Sequence, residues 1–559
     1  MRARSWAVTL AAGLVLADAS IVTLALPELL RALHTTVEGV AAVIVVYTGV
    51  LALALPFAPA AVRRHGAARV AALGFGAFAL ASAVCAAAGA LPLLLSARAV
   101  QAAAGAFALV AAFALIRGGT QAGRRRWLGA AVLASAVGPA LGGALTQAFD
   151  WRAIFVAQVP VATVGALAAL RAGPVVARGD STSGVAESSS ATPPARSAFA
   201  ADGVALALVS GSLTAVLFGL VLLLIAGWAV EPLAAAATVT VLPLAALAGA
   251  RVHAPPHVRA VAGCLLVGGG VLALAWLPGA SVAWTFAPQA LAGIGMGMAL
   301  PAFAGELLPE RTTQEAARLL TIRHAGIALV LIALAPLIAH RLDVVTERAQ
   351  EQGVALVLDA RLPPQDKLTL APALLGGVQA ERPRAGLRAA LADHGQGYGG
   401  QERIAYERLA SRADDVLVSA VGDAFRLAFL IAGALALLAA AALAIGLSPP
   451  RASALVAVAL ALALAAPAAY AAIHAGTEPR PVAIRDPCEQ RRLPGSGGIA
   501  GFLQDRALQA LDAAACRFGS SREELVLALA DAKAAKRYER EHGVDPRSIT
   551  SILGNLISP

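Results

Sequence analysis

Ser135 to Gly143 reads SAVGPALGG, and it lies within an apolar segment that opens just after the basic run Arg124, Arg125, Arg126. Ala131, Ser135, Gly138, Gly142 and Thr146 follow one another at helical spacing, so one face of that helix is almost bare of side chains. In lipid no hydrophobic force drives helix against helix, and a stripe of small residues is how close packing is obtained. Pro139 lacks an N–H and frees the carbonyl of Ser135, which predicts a bend there. An isolated GxxxG marks no more than a tight helix crossing. The full GPxxGG carries more weight because of the segments around it.

The chain has 559 residues, of which 58% are hydrophobic, 14% charged and 5% aromatic, a balance that no single water-soluble domain of ordinary surface shows. It reads as an integral membrane protein. The net charge of +10 would suggest nucleic acid in a soluble protein, but here the arginines stand between apolar segments and topology accounts for them. The apolar run behind Met1 to Ser5 is long enough to span and reads as the first spanning helix rather than a cleaved signal.

Six apolar segments of bilayer length occupy roughly 6–30, 39–62, 68–91, 93–117, 127–148 and 153–171. Seven more follow at roughly 203–228, 232–250, 259–278, 283–305, 318–340, 422–447 and 452–473. With the N-terminus inside, the inner turns collect Arg2, Arg4, Arg63, Arg64, Arg69, Arg124 to Arg126 and others, while the short outer turns hold only Arg31 and Arg152. The positive-inside rule therefore places the N-terminus in the cytoplasm and, after an odd number of crossings, the C-terminus outside the cell membrane. The expected division is an N-terminal six-helix half at 1–172, a cytoplasmic linker at 173–202 and a C-terminal six-helix half at 203–447 with a long outer loop over 341–421. An extra spanning helix at 448–473 and an extracytoplasmic helical tail at 474–559 complete it.

The outer loop carries helical patches at 347–360 and 402–418, interrupted by Pro363, Pro364 and Pro383. In the tail an apolar-periodic stretch runs from Ile499 to Phe518, and Ser521 with Glu524 forms a capping box for a helix running to about Glu541. Cys488 and Cys516 are the tail's two cysteines. An outer compartment permits a disulfide between them, which would stabilise so small a unit by about 3 kcal/mol; unpaired thiols are the alternative. No ligand spacing for a metal accompanies either cysteine, and no metal or other cofactor is expected.

Two charges stand inside spanning segments. Asp18 is near the middle of the first, where a carboxylate exposed to lipid costs at least about 2.5 kcal/mol, so it must face protein or a watery cavity. Arg98 is in the fourth, with Gln101 and Gly105 on its face. A fixed Asp18–Arg98 ion pair that merely joins two helices is one reading, and a proton-coupling site is the other.

These stretches together resemble the major facilitator superfamily, and within it the multidrug proton antiporters of the fourteen-helix type. LADASIVTLALPEL (16–29) is similar to the family's first-helix motif, LLLSARAVQAAAG (93–105) to its fourth, and SAVGPALGGAL with DWRAIFVAQVP (150–160) to its fifth-helix antiporter motif and the turn that follows. LAGIGMGMALPA (291–302) and LLTIRHAGIALVLIALAPL (319–337) resemble helices of the second half. The resemblance implies a fold of two six-helix halves built from inverted repeats, substrate held near the midplane, and alternating access. It implies transport and proton-coupling roles for Asp18, Arg98 and Gln101, packing roles for Ser135, Gly138, Pro139, Gly142 and Gly143, and a place for Arg323 in the second-half cavity. The inner-gate loop PAAVRRHGAAR (59–69) departs from the family pattern: Arg64, Gly66 and Arg69 are there, but Arg63 stands where the family has Asp. The two extra helices usually inserted between the halves are also missing from this pattern.

The expected function is secondary active transport in the cell membrane, proton-coupled export of a hydrophobic or amphiphilic small molecule such as a drug, lipid or secondary metabolite. Its partners are then that substrate, protons and the bilayer, with no nucleic acid. A non-transporting receptor or scaffold that binds through the outer loop and tail is the alternative. An enzyme is disfavoured, since no nucleophile with an adjacent base and no phosphate loop is found. A cysteine introduced near Gly395 or near Gly497 is expected to react with an impermeant thiol reagent in intact cells; protection of the tail position alone would mean that 452–473 does not cross.

Overall fold

The computed structural model describes residues 2–116, 120–172, 196–307, 312–378, 383–444, 454–479, 482–489, 491, 493, 494 and 498–547. Among these residues the chain is helical throughout, with no strand. In order the helices are α1 (Arg2–Thr23), α2 (Leu26–Ala32), α3 (Val37–Ala54), α4 (Ala58–His65), α5 (Ala67–Ala87), α6 (Leu91–Leu115), α7 (Gln121–Ala148) and α8 (Arg152–Leu170). Then come α9 (Arg196–Leu222), α10 (Pro232–Val239), α11 (Val241–Gly249), α12 (Pro256–Ala273), α13 (Phe286–Leu307), α14 (Thr313–Asp359), α15 (Pro364–Val378), α16 (Pro383–His394) and α17 (Gly400–Ala444). The last are α18 (Ala454–Thr477), α19 (Gly498–Phe518), α20 (Arg522–Ala530) and α21 (Ala532–His542).

Twelve helical stretches among the described residues are long and apolar enough to cross a membrane. Helix α7, which carries SAVGPALGG, runs unbroken through Pro139. The first expected segment is broken in two, because Pro27 near the start of α2 has no N–H to continue α1. Pro56 and Pro59 similarly mark a 3-10 turn between α3 and α4. Capping fixes several starts: Thr36 accepts from Gly39 N at 3.2 Å, and Thr312 and Glu315 bond each other's backbone N–H reciprocally at the head of α14. Residues 173–195 of the expected linker lie outside the described residues, and 196–202 already belongs to α9.

The chain forms two compact units. The first comprises 1–225, 230–339 and 425–476. In its N-terminal half α5 packs between α6 and α8 around Phe75 and Phe78, and α1 lies against α6, α7 and α8. In its C-terminal half α12, α13 and α11 pack closely; a Cβ on Gly263 would come within 2.6 Å of the Gly295 carbonyl, so the backbones nearly touch. Helix α18 rests on α12, where Ala463 sits over Gly269, and turns Leu460, Leu462 and Leu464 outward. His474 Nδ1 donates to the Leu277 carbonyl at 3.1 Å, and Arg426 donates to His474 Nε2 at 2.7 Å.

The second unit comprises 226–229, 340–424 and 477–559. Its architecture differs from the expected outer loop in one respect. Helices α14 and α17, of 47 and 45 residues, continue without a break into 340–359 and 400–424, and only α15 and α16 form a separate hairpin. Hydropathy falls at residue 340, but the Glu, Arg, Gln, Ala and Leu that follow are good helix formers, and no proline intervenes before Pro363. Arg384 and Arg388 both bind Asp414, at 2.8 and 3.0 Å, which ties the hairpin to α17. Burial pushes the Lys367 ammonium down to about 8 against the attraction of Asp359, and it donates to the Leu358 carbonyl at 2.8 Å.

In the tail, Cys488 and Cys516 are joined by a disulfide with a Cα–Cα distance of 5.0 Å. Ser521 caps α20, accepting from Glu524 N at 3.0 Å. The helix expected to run on to Glu541 instead stops at Asp531, whose carboxylate accepts from Ala534 N at 2.9 Å and starts α21; Gly543 in the left-handed region ends it. Buried Arg522 and Arg491 share Glu523 at 2.9 and 2.8 Å, and Arg522 reaches Asp359 of α14 at 2.8 Å. Arg537 also pairs with Glu347 at 2.6 Å, so the tail docks on the continuation of α14. Removing one member of a buried charge cluster strands the others. Arg522→Met is therefore expected to destabilise this unit by about 3–5 kcal/mol, read as earlier loss of protease protection of the tail while the first unit keeps its melting temperature.

Candidate functional site

Asp18, Arg98 and Gln101 are all fully buried, and the structure brings them together. Arg98 Nη1 lies 2.5 Å from Asp18 Oδ2 and donates to Gln101 Oε1 at 2.6 Å. Gln101 Nε2 donates to Gln158 Oε1 at 2.7 Å and to Ser82 Oγ at 2.7 Å, and Ser82 passes its own hydrogen to the Phe78 carbonyl at 2.8 Å. Gln158 Nε2 closes the ring by donating to Asp18 Oδ1 at 2.7 Å. The guanidinium also sits 4.1 Å from the Tyr47 ring centre and 5.7 Å from that of Phe155, and Arg98 Nε donates to the Val43 carbonyl at 3.4 Å. Tyr47 in turn donates to the Val15 carbonyl at 2.9 Å. Helices α1, α3, α5, α6 and α8 thus meet at one dry polar knot, in which a chain of donors runs from Arg98 through Gln101 and Gln158 to Asp18.

Sequence reasoning did not single out Gln158, Ser82 or Tyr47. Gln158 had a readable signal, an amide in an apolar run where an unmatched polar group is costly. Ser82 and Tyr47 had none, since a small hydroxyl or a tyrosine is ordinary in any spanning helix.

On its other side α1 lines a cavity of about 300 Å³, at the lower end of the range for ligand pockets. Leu16, Ala19, Ser20 and Thr23 of α1 face it, with Trp127 and Pro139 of α7 beside them. The opposite wall comes from the C-terminal half, mostly aliphatic through Leu213, Leu217, Leu242 and Ile327, with Arg323, His324, Gln289, Ser210 and Thr214 as polar exceptions. One helix therefore has the ion pair behind it and the cavity in front.

The small-residue stripe lies where these two sites adjoin. A Cβ added at Gly138 would meet Ser20 Oγ at 2.7 Å, and one at Gly142 would land on the Ile21 carbonyl oxygen. Gly143 faces the other way, against Pro232 and Ala236 of α10, and Gln147 Oε1 accepts from Leu233 N at 2.8 Å. So α7 touches α1 with one glycine edge and the C-terminal half with another. Ser135 is helical, and its side chain lies outside the described residues. The inner-gate residues are placed apart from these sites: Arg64 and Arg69 are exposed, and neither forms an ion pair among the described residues. Gly66 ends α4 at φ +85°, a conformation that favours glycine.

Two helical halves around a central cavity, with charges buried beside it, define a multi-pass membrane transporter rather than an enzyme. Residues 8–337 match the model of the Major Facilitator Superfamily, and the chain belongs to that family of secondary transporters. None of the curated proteins matches it in sequence. Among solved structures it is similar to a bacterial homologue of the human lysosomal transporter Spinster in an inward-facing and occupied conformation. That likeness has 17% identity over 78% of this chain and 96% of that one, with a TM-score of 0.50, and it speaks to the fold alone. The inward-facing and unoccupied conformation of such a homologue gives 16% identity over 80% and 98%, with a TM-score of 0.49.

Overpacking a helix crossing of this kind costs about 1–3 kcal/mol where the backbones can part, and more where they cannot. Gly142→Leu is expected to leave the protein inserted in the membrane but to lower transport at least tenfold. Normal transport by that variant would mean that the contact with Ile21 is absent from the working cycle.

Proposed function

We propose that the protein is a proton-coupled antiporter that exports hydrophobic or amphiphilic small molecules across the cell membrane, of the multidrug type that its motifs resemble. The observation that carries this reading is the position of Asp18, fully buried against Arg98 on the helix whose opposite side lines the cavity. A proton arriving at Asp18 Oδ2 turns the carboxylate into a neutral acid and removes its attraction for Arg98. The guanidinium is not orphaned, because Gln101, the Val43 carbonyl and the Tyr47 ring still hold it. The link between α1 and α6 weakens, and any shift of α1 carries the cavity wall formed by Leu16, Ala19, Ser20 and Thr23. Proton and substrate thereby compete through one helix without touching.

The arginine asymmetry supports a cytoplasmic N-terminus. Two internal contacts of the second unit support an extracytoplasmic tail and a spanning role for α18. Arg522 and Arg537 of the tail pair with Asp359 and Glu347 of α14, which supports a tail and outer loop on one side of the membrane and a return of the chain from α17 through α18. The Cys488–Cys516 disulfide suits an oxidising compartment.

Proteoliposomes with an imposed pH gradient test the coupling. Asp18→Asn is expected to keep substrate binding and lose gradient-driven transport at least tenfold, since an amide has no proton to release. A fixed structural ion pair predicts otherwise: Asp18→Asn and Arg98→Gln would each destabilise the protein, and the double variant would recover both folding and transport. Full coupled transport by the double variant would remove Asp18 as the proton carrier.

A further inference from the structure

Among the described residues the cavity wall includes Arg323 and His324 but no Asp or Glu. Arg323 forms no hydrogen bond or ion pair among the described residues, and it lines the cavity beside His324. Asp18, the carboxylate of α1, is already engaged by Arg98 and Gln158 behind the wall. Membrane-embedded cations ordinarily pair with carboxylates or carbonyls, because an uncompensated charge in a low-dielectric setting is costly. Among the described residues no such partner meets Arg323, which stands half-buried at the cavity wall.

Two further polar atoms at the cavity are equally unengaged. Ser210 is 4% exposed and its Oγ has no partner; it lies on α9, which packs against α14 where Gly211 meets Gly326. Gln289 is 1% exposed, and while its Nε2 donates to Thr285 Oγ1 at 2.9 Å, its Oε1 has none. The wall thus offers a guanidinium, a hydroxyl and an amide oxygen amid aliphatic side chains. Such a pattern suits a ligand with a charged end and an apolar body.

Resting on the transport reading above, we propose that the substrate is an amphiphilic anion whose carboxylate or phosphate head is held by Arg323 and Ser210 while its aliphatic body lies along Leu213, Leu217 and Leu242. Gln289 accepts a hydrogen bond from a hydroxyl or N–H next to that head. A cationic amphiphile meets Arg323 and His324 with no counter-charge and is rejected.

Trp127 lines the same cavity and reports on its occupancy. Protein in nanodiscs is titrated with dodecanoate, dodecyl phosphate, dodecanol and dodecyltrimethylammonium, following the fluorescence change that Trp127→Phe removes. Both anions, or whichever head fits, are expected to bind at least tenfold more tightly than dodecanol; the dodecanoate and phosphate arms identify the head. Arg323→Gln should bring the anions down to the level of the alcohol, with alcohol binding held within twofold as the check on folding, and Arg323→Lys should restore most of the preference. Tightest binding by the trimethylammonium, equal or absent binding of all four, or an anion preference that survives Arg323→Gln overturns the proposal. Failure of Asp18-dependent gradient coupling alongside an intact anion preference would instead overturn the transport reading and leave the anion site standing.

Discussion

A carboxylate and a guanidinium from which water is shut out hold the N-terminal half together. Either charge is costly at that depth without partners, and each is stabilised by the other 2.5 Å away. The surrounding ring of Gln101, Gln158 and Ser82 follows from the same demand, since remaining lone pairs and hydrogens also need partners. Five helices must converge for that to happen. The knot therefore fixes α1 against α6 and α8, and with it one wall of the cavity.

Glycine supplies the complementary constraint. Helix α7 has to pass within backbone distance of α1 at Gly142 and of α10 at Gly143, and no side chain larger than hydrogen fits at either contact. Where polar attraction fixes α1 from behind, bare backbone lets α7 close on it from another side. The two devices differ in character: a charge network resists small displacements strongly, while glycine contacts slide with little resistance. A transporter needs both, one joint that holds and one that moves.

How much of this was legible in the sequence depended on which signal each feature leaves. Run length and apolarity reveal spanning helices, and Asp18 and Arg98 stood out because formal charges are rare in such runs. Gln101 was visible on the face of Arg98, but Gln158 and Ser82 were not singled out, because an amide or hydroxyl gives no hint of the partner it will find across the helices. The continuation of α14 past residue 340 was hidden for a different reason. Hydropathy reports the solvent around a helix, while propensity and the absence of proline report the helix itself, and the two diverge at that point. In the tail the Ser521 cap was readable from its Glu three positions on, but Asp531 as a second cap was not, since aspartate is common within helix surfaces. Arg323 was visible as a charge in a family-like stretch; that no counter-ion meets it among the described residues needed three-dimensional placement.

The second unit is assembled from stretches far apart in the chain, 340–424 and 477–559, with the rest of α17 and nearly all of α18 lying between. Its hairpin and the extensions of α14 and α17 emerge from the ribosome well before the tail that completes them. At about 5–20 residues per second, synthesis alone delays the tail by roughly ten seconds. During that interval Asp359 and Glu347 wait without Arg522 and Arg537, and Cys488 and Cys516 have yet to meet. Biogenesis of this protein thus contains an obligatory waiting state, in which a half-built domain is open to proteases and chaperones until the last residues arrive.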